Sequence, residues 1–280
     1  MKKIAVIGMG VMGKSISLAL AQKNYDVTVV TSRGKKGFLD FRRFVEEQVK
    51  LTGGQKSQDE ILSRISCFDN LSKVSCDLDL VIEAVKEDLR IKQQLFKRID
   101  TTCPENTILS SITSSLNITK ISKFMVRPGR MIGLHFFNPV QVMRLVEVVP
   151  GNKTSEETVK TAITFVNELG KIPLVVPDQP GFLVNRILFP MINEAISVLD
   201  NCKISAEAID VAMRTGVNHP LGPLHLADFI GLDVCLDIFK NLYKATKSAK
   251  YRPHPLLIEK VKANHLGRKT GKGFFDYSNV

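Results

Sequence analysis

Residues 4–7 form a short apolar run that opens directly onto Gly8-Met9-Gly10-Val11-Met12-Gly13. Apolar positions at helical spacing follow over 15–21, and a second strand-like run covers 26–30. Further along, 78–85, 107–112, the run from 131 up to the break at Asn138-Pro139, 144–149 and 172–176 read as short buried strands, and 87–99 reads as an amphipathic helix. Strands alternating with helical stretches predict a mostly parallel sheet with helices on both faces. The rhythm changes near Pro177-Asp178-Gln179-Pro180-Gly181, after which helical patterns dominate, starting with 182–199. The expected fold is therefore α/β: a Rossmann-type domain over 1–180, then an all-helical domain over 181–280 that serves substrate binding and dimerisation.

The glycine cluster gains its meaning from this setting. G-x-G-x-x-G between a strand and a helix, with a second strand inside about 30 residues, is the context that marks a dinucleotide site. Gly8 suits a tight turn, Gly10 lets a pyrophosphate approach the backbone, and Gly13 lets helix pack on strand. Val11 and Met12 lie between them, at a helix start whose N–H groups face the phosphates. An NAD-preferring site has an acid about 20 residues on, to hold the ribose hydroxyls. Here that place is Thr31, followed by Ser32, Arg33, Gly34, Lys35 and Lys36. Hydroxyls and an arginine suit a 2′-phosphate, which an acid would repel. The expected cofactor is NADP(H) in preference to NAD(H); a solvated basic loop is the other reading of the same residues.

Chemistry is expected at His135, where an apolar strand gives way to Asn138-Pro139, and at Glu147, a carboxylate alone among apolar neighbours. A buried carboxylate needs a partner, and a histidine oriented by an acid can move protons near neutral pH. Such a pair can equally be structural. Ser114 ends the strand over 107–112, which places it at the carboxyl edge of the sheet with His135; as a lone residue it also suits a helix N-cap. Asn185 falls in the first turn of the helix over 182–199.

Bulk properties narrow the class. The chain has 280 residues and a net charge of +11. No nucleic-acid motif accompanies the charge, so a phosphorylated substrate and cofactor account for it, and no nucleic-acid partner is expected. No apolar run is long enough for a membrane span, and no secretion signal opens the chain. Cys67, Cys76, Cys103, Cys202 and Cys235 are dispersed without a C-x-x-C, which points to reduced thiols in a cytoplasmic protein and to no metal site. The helical domain has more apolar helices than one small bundle needs, which predicts a homodimer.

Several segments together resemble the 3-hydroxyacyl-CoA dehydrogenases, especially the short bacterial 3-hydroxybutyryl-CoA dehydrogenases. They are Thr113-Ser-Ser-Leu116, His135-Phe-Phe-Asn-Pro139, Met143-Arg-Leu-Val-Glu147-Val, Gly181-Phe-Leu-Val-Asn185-Arg186, Gly222-Pro223 with Asp228 and Gly231-Leu-Asp233, and Gly267-Arg-Lys-Thr-Gly-Lys-Gly273-Phe. The resemblance implies general acid/base work for His135 and its orientation by Glu147. It implies that Ser114 and Asn185 bind the reacting oxygen and the thioester region. It sets Glu87 and Lys92 near the nicotinamide end of the cofactor, and assigns the helical hairpin over 39–62 to CoA, with Lys50 and Lys56 as candidates for its phosphates. Ordinary solvated lysines are the other reading of those two. Two departures stand out: the missing acid at Thr31, and Ile112 where the family has Asn. A dehydrogenase of a small free hydroxy acid, or a cofactor-binding structural protein of the lens-crystallin kind, fits the same scaffold.

Overall fold

The computed structural model describes residues 1–52, 56–74 and 77–278. The chain divides into two compact units, Met1–Gln179 and Pro180–Val280.

The first unit is a single sheet with helices. In chain order its elements are β1 (Lys3–Ile7), α1 (Val11–Gln22), β2 (Asp26–Val30), α2 (Gly34–Thr52), α3 (Gln58–Leu62), β3 (Ile65–Phe68), β4 (Leu80–Glu83), α4 (Leu89–Thr102), β5 (Ile108–Ser111), α5 (Ile118–Ile121), β6 (Met131–Phe136), β7 (Leu145–Pro150), α6 (Glu156–Glu168) and β8 (Ile172–Val175). The strands lie in the order β3-β2-β1-β4-β5-β6-β7-β8. All neighbours run parallel except β6 and β7, which pair antiparallel. Each central strand is a near-continuous apolar run because helices cover both faces of a parallel sheet. Ile4, Val6, Val27, Val29, Leu80, Ile82, Ile132 and Leu134 form its core with Ile16, Leu18 and Leu20 of α1.

The sequence pattern did not mark β3 or α6. After β2, Gly34, Lys35 and Lys36 form the first turn of α2, which replaces the solvated loop, the alternative reading of these residues.

A buried carboxylate anchors α4 to the approach of β6. Asp100 accepts hydrogen bonds from the Val126 and Arg127 N–H groups and pairs with the Arg130 guanidinium at 2.9 Å. Burial alone would raise the Asp100 carboxyl, but these donors outweigh it and hold it below the ordinary range. A depressed folded value stabilises fully above the ordinary carboxylate range and is lost as pH falls through the folded value. Between pH 5 and pH 3 the native protein should therefore lose more thermal stability than an Asp100→Asn variant does. Equal losses in the two melting series would contradict this.

The second unit is helical: α7 (Val184–Asn201), α8 (Ala206–Gly216), α9 (Pro223–Ile230), α10 (Leu232–Thr246) and α11 (Pro255–Lys262). Phe189, Ile192, Leu224, Leu232, Leu236 and Phe239 lead its core. Asp228, on α9, fastens the segment after α11: it accepts from the Phe274 and Phe275 N–H groups and from the Tyr277 hydroxyl. The glycines at 267 and 273 are demanded by this contact, because a Cβ at either would lie within 2.2 Å of an Asp228 atom. The glycine- and lysine-rich tail is thus an ordered arm.

Candidate active site

His135 and Glu147 stand directly opposite each other in the antiparallel register of β6 and β7, so their side chains share one face of the sheet. His135 Nδ1 lies 2.6 Å from Glu147 Oε2. The imidazole is 6 % exposed and the carboxylate is fully buried. Glu147 accepts from Nδ1–H, which fixes the tautomer of a neutral ring. The Phe137 ring packs at 4.5 Å from the imidazole, centroid to centroid.

Ser114 sits in the turn after β5, between Thr113 and Ser115. It is not the cap of the next helix: the Asn117 side chain caps α5, accepting from the Lys120 N–H. The turn is held from below. Thr113 Oγ1 accepts from the Leu116 N–H at 2.9 Å and donates to Glu87, and the Ser115 hydroxyl also donates to Glu87, at 3.0 Å.

A second carboxylate, Glu83, organises the same region and was not singled out from the sequence. It ends β4 with no exposure. Lys92 Nζ donates to both of its oxygens, at 2.6 and 2.8 Å; Ser111 Oγ donates at 2.6 Å and the Val85 N–H at 2.7 Å. Lys92, itself fully buried, also pairs with Glu87 at 3.2 Å. Its position was legible: Lys92, Phe96, Ile99 and Asp100 lie on the buried stripe of α4. The polar end of β4 had a signal too, since Glu83 closes an apolar run as Glu147 interrupts one.

The glycine turn is built as its motif requires. Gly8 has φ +107°, and a Cβ on it would meet the Ala84 carbonyl oxygen at 2.3 Å; one on Gly13 would meet the Gly8 oxygen at 2.0 Å. At Gly10 nothing lies within 4 Å, and no side chain caps the start of α1. Backbone N–H groups and open space therefore face the carboxyl ends of β1 and β4, as a pyrophosphate needs. Val11 is exposed and Met12 half-buried in the first turn.

Two family models divide the chain as the fold does. The model described as 3-hydroxyacyl-CoA dehydrogenase, NAD binding domain, matches residues 3–179, and that described as 3-hydroxyacyl-CoA dehydrogenase, C-terminal domain, matches 181–277. The chain belongs to the 3-hydroxyacyl-CoA dehydrogenase family. It is 45 % identical to a 3-hydroxybutyryl-CoA dehydrogenase of Clostridioides difficile, over 99 % of each chain. A probable 3-hydroxybutyryl-CoA dehydrogenase of Bacillus subtilis is 43 % identical over 99 % of this chain and 97 % of its own. Among solved structures, the (S)-3-hydroxybutyryl-CoA dehydrogenase of Ralstonia eutropha matches with a TM-score of 0.87 and 40 % identity over 99 % of both chains.

The remaining residues expected to matter are placed as follows. Thr31 is buried and its Oγ1 accepts from the Arg33 N–H at 3.2 Å; Ser32 is exposed. Asp40, on α2, pairs with the Arg33 guanidinium at 3.0 Å. Ile112 packs against the apolar core of the sheet unit. Lys50 makes an exposed ion pair with Glu46 one helical turn away, and Lys56 donates to Asn24. Asn185, in the helical unit, is buried in the first turn of α7. Cys67, Cys103, Cys202 and Cys235 are unbridged; Cys76 lies outside the described residues.

Proposed function

We propose that the protein interconverts 3-hydroxybutyryl-CoA and acetoacetyl-CoA with NADP(H), and that His135 carries the proton. The single observation that supports this most is the buried His135–Glu147 pair, 2.6 Å apart at the end of a strand in a dinucleotide-type sheet. The names of the similar enzymes support the four-carbon acyl group. The glycine turn would hold the pyrophosphate of the dinucleotide, whose nicotinamide would supply the hydride exchange. The chain's residues do the rest. The imidazole takes the C3 hydroxyl proton in oxidation, through Nε2, the nitrogen that Glu147 does not engage. In reduction the imidazolium returns it. Glu147 stabilises the charged ring and fixes its orientation. Ser114 donates a neutral hydrogen bond where charge develops on the reacting oxygen, and the family pattern gives Asn185 a part at the thioester. Reduction of acetoacetyl-CoA is the working direction when the reduced phosphorylated cofactor is the donor. The helical unit is the self-association surface in this reading; Ile187, Val211, Val217 and Phe229 are exposed apolar residues on it.

Preference for NADP(H) rests on Thr31, Ser32 and Arg33. A neutral β2 terminus does not repel a 2′-phosphate, and one charge-assisted hydrogen bond to it is worth about 1.5–3 kcal/mol. Arg33 must share its charge with Asp40, so the lower end applies, a preference of about tenfold. The test is kcat/KM for acetoacetyl-CoA with NADPH and NADH, beside free acetoacetate. We expect NADPH to lead by that margin and free acetoacetate to be turned over poorly. An enzyme preferring NADH tenfold would refute the cofactor assignment, and equal use of the free acid would refute the CoA ester.

A further inference from the structure

We propose that Glu83, Lys92 and Glu87 together make the end of β4 select for the oxidised cofactor, through one uncompensated negative charge that Glu87 presents at the rim. The inference rests on the dinucleotide reading proposed above.

The location follows from topology. In a doubly wound sheet the adenosine ribose lies at the end of the second strand and the pyrophosphate at the start of the first helix. The other half of the molecule must then extend to the opposite side of β1, over the ends of β4 and β5. Those ends carry Glu83 and Ser111, which are register partners. The oxidised nicotinamide ring bears a positive charge and the reduced ring bears none. Only a net charge nearby can tell the two apart over a distance longer than a hydrogen bond.

The net charge follows from counting donors. A carboxylate has about four acceptor positions. In Glu83 the Val85 N–H and Lys92 address Oε1, and Lys92 and Ser111 address Oε2. Donors thus fill the acceptor positions of Glu83 on both oxygens. Lys92 directs its N–H groups at both Glu83 oxygens and at Glu87 Oε2, which fills an ammonium's three donors. Lys92 and Glu83 thus cancel in the interior. Glu87, a third exposed, is left over. The Thr113 and Ser115 hydroxyls donate to its other oxygen. Burial pushes the Glu87 carboxyl up, but the Lys92 charge and these donors win and hold it below the ordinary range. Lys86 and Arg90 are exposed beside the half-buried Asp88, where solvent and salt screen them. Within the Glu83–Lys92–Glu87 cluster one negative charge therefore remains.

The experiment measures dissociation constants for the oxidised and reduced forms of NADP and NAD by calorimetry on the full chain. It compares the native protein with Glu87→Gln, Glu87→Ser and Glu87→Asp. A charge near a ring at the effective dielectric of a partly buried site alters affinity by about tenfold. Glu87→Gln and Glu87→Ser should each weaken the oxidised form about tenfold relative to the reduced form, while Glu87→Asp keeps the native ratio. A loss of local order would weaken both forms together, so the ratio isolates the charge. Ratios within about twofold of native in both neutral variants would overturn the proposal. A native protein that binds neither cofactor in either form would overturn the dinucleotide reading itself, and this inference with it.

Discussion

Replacing His135 by glutamine should lower kcat for acetoacetyl-CoA reduction about 1,000-fold, within the range that a positioned acid or base contributes. Glutamine keeps much of the volume and a hydrogen bond to Glu147, so β6 and β7 stay paired, but it cannot gain or lose a proton near neutral pH. The alkoxide that forms when hydride arrives must then be protonated by solvent in a buried site. Cofactor affinity should change little, because the glycine turn, where the pyrophosphate is proposed to sit, is on β1 and α1 and not on β6. Glu147→Gln should cost less, about 10- to 100-fold, since the imidazole remains and loses only its orienting charge. Steady-state kinetics with acetoacetyl-CoA, beside fluorescence titration of the reduced cofactor, separates these effects. Near-native turnover in the His135 variant would end the proposed mechanism. A large loss of cofactor affinity would instead point to a damaged fold.

The pair itself could be suspected from sequence but not proved. A histidine before a strand break and a carboxylate among apolar residues each signal something buried. What joins them is register, and a one-residue slip would have sent one side chain to the other face. The glycine turn was legible: Gly8 and Gly13 answer steric demands visible in the motif, and Gly10 leaves the space open. The basic segment was not. Its three cations read either as a phosphate site or as a solvated loop, and neither reading contains the first turn of α2, which starts at Gly34 and brings Asp40 back onto Arg33. Composition cannot show that pairing; helix phase can. β3 escaped notice for a related reason. It is a short edge strand, Ile65–Phe68, with only Ile65 buried, so it lacks the continuous apolar run of its neighbours. Glu83 is the instructive miss. The logic that marked Glu147 applies to it unchanged, but a carboxylate at the last position of a strand looks like the start of a solvated loop. Only the arrival of Lys92 from α4 reveals that it is interior.

Lys92 therefore carries the largest stability prediction. Lys92→Met keeps the apolar stem and removes the ammonium, leaving Glu83 buried with two neutral donors, Ser111 and the Val85 N–H. Breaking one side of a buried ion pair costs about 3–5 kcal/mol, which for a chain of this size lowers the melting temperature by about 10 °C. Replacing both partners should cost far less, because the damage in the single variant is mostly the stranded charge. In Glu83→Gln/Lys92→Met the amide oxygen still accepts from Ser111 and no charge is stranded in the interior, while Glu87, a third exposed, keeps its Thr113 and Ser115 donors. We expect the double variant to regain at least about half of the lost stability. A thermal melt of the two single variants and the double gives the coupling directly. If the losses simply add, Glu83 and Lys92 act independently, and the interior pair is not what holds the ends of β4 and β5 in place.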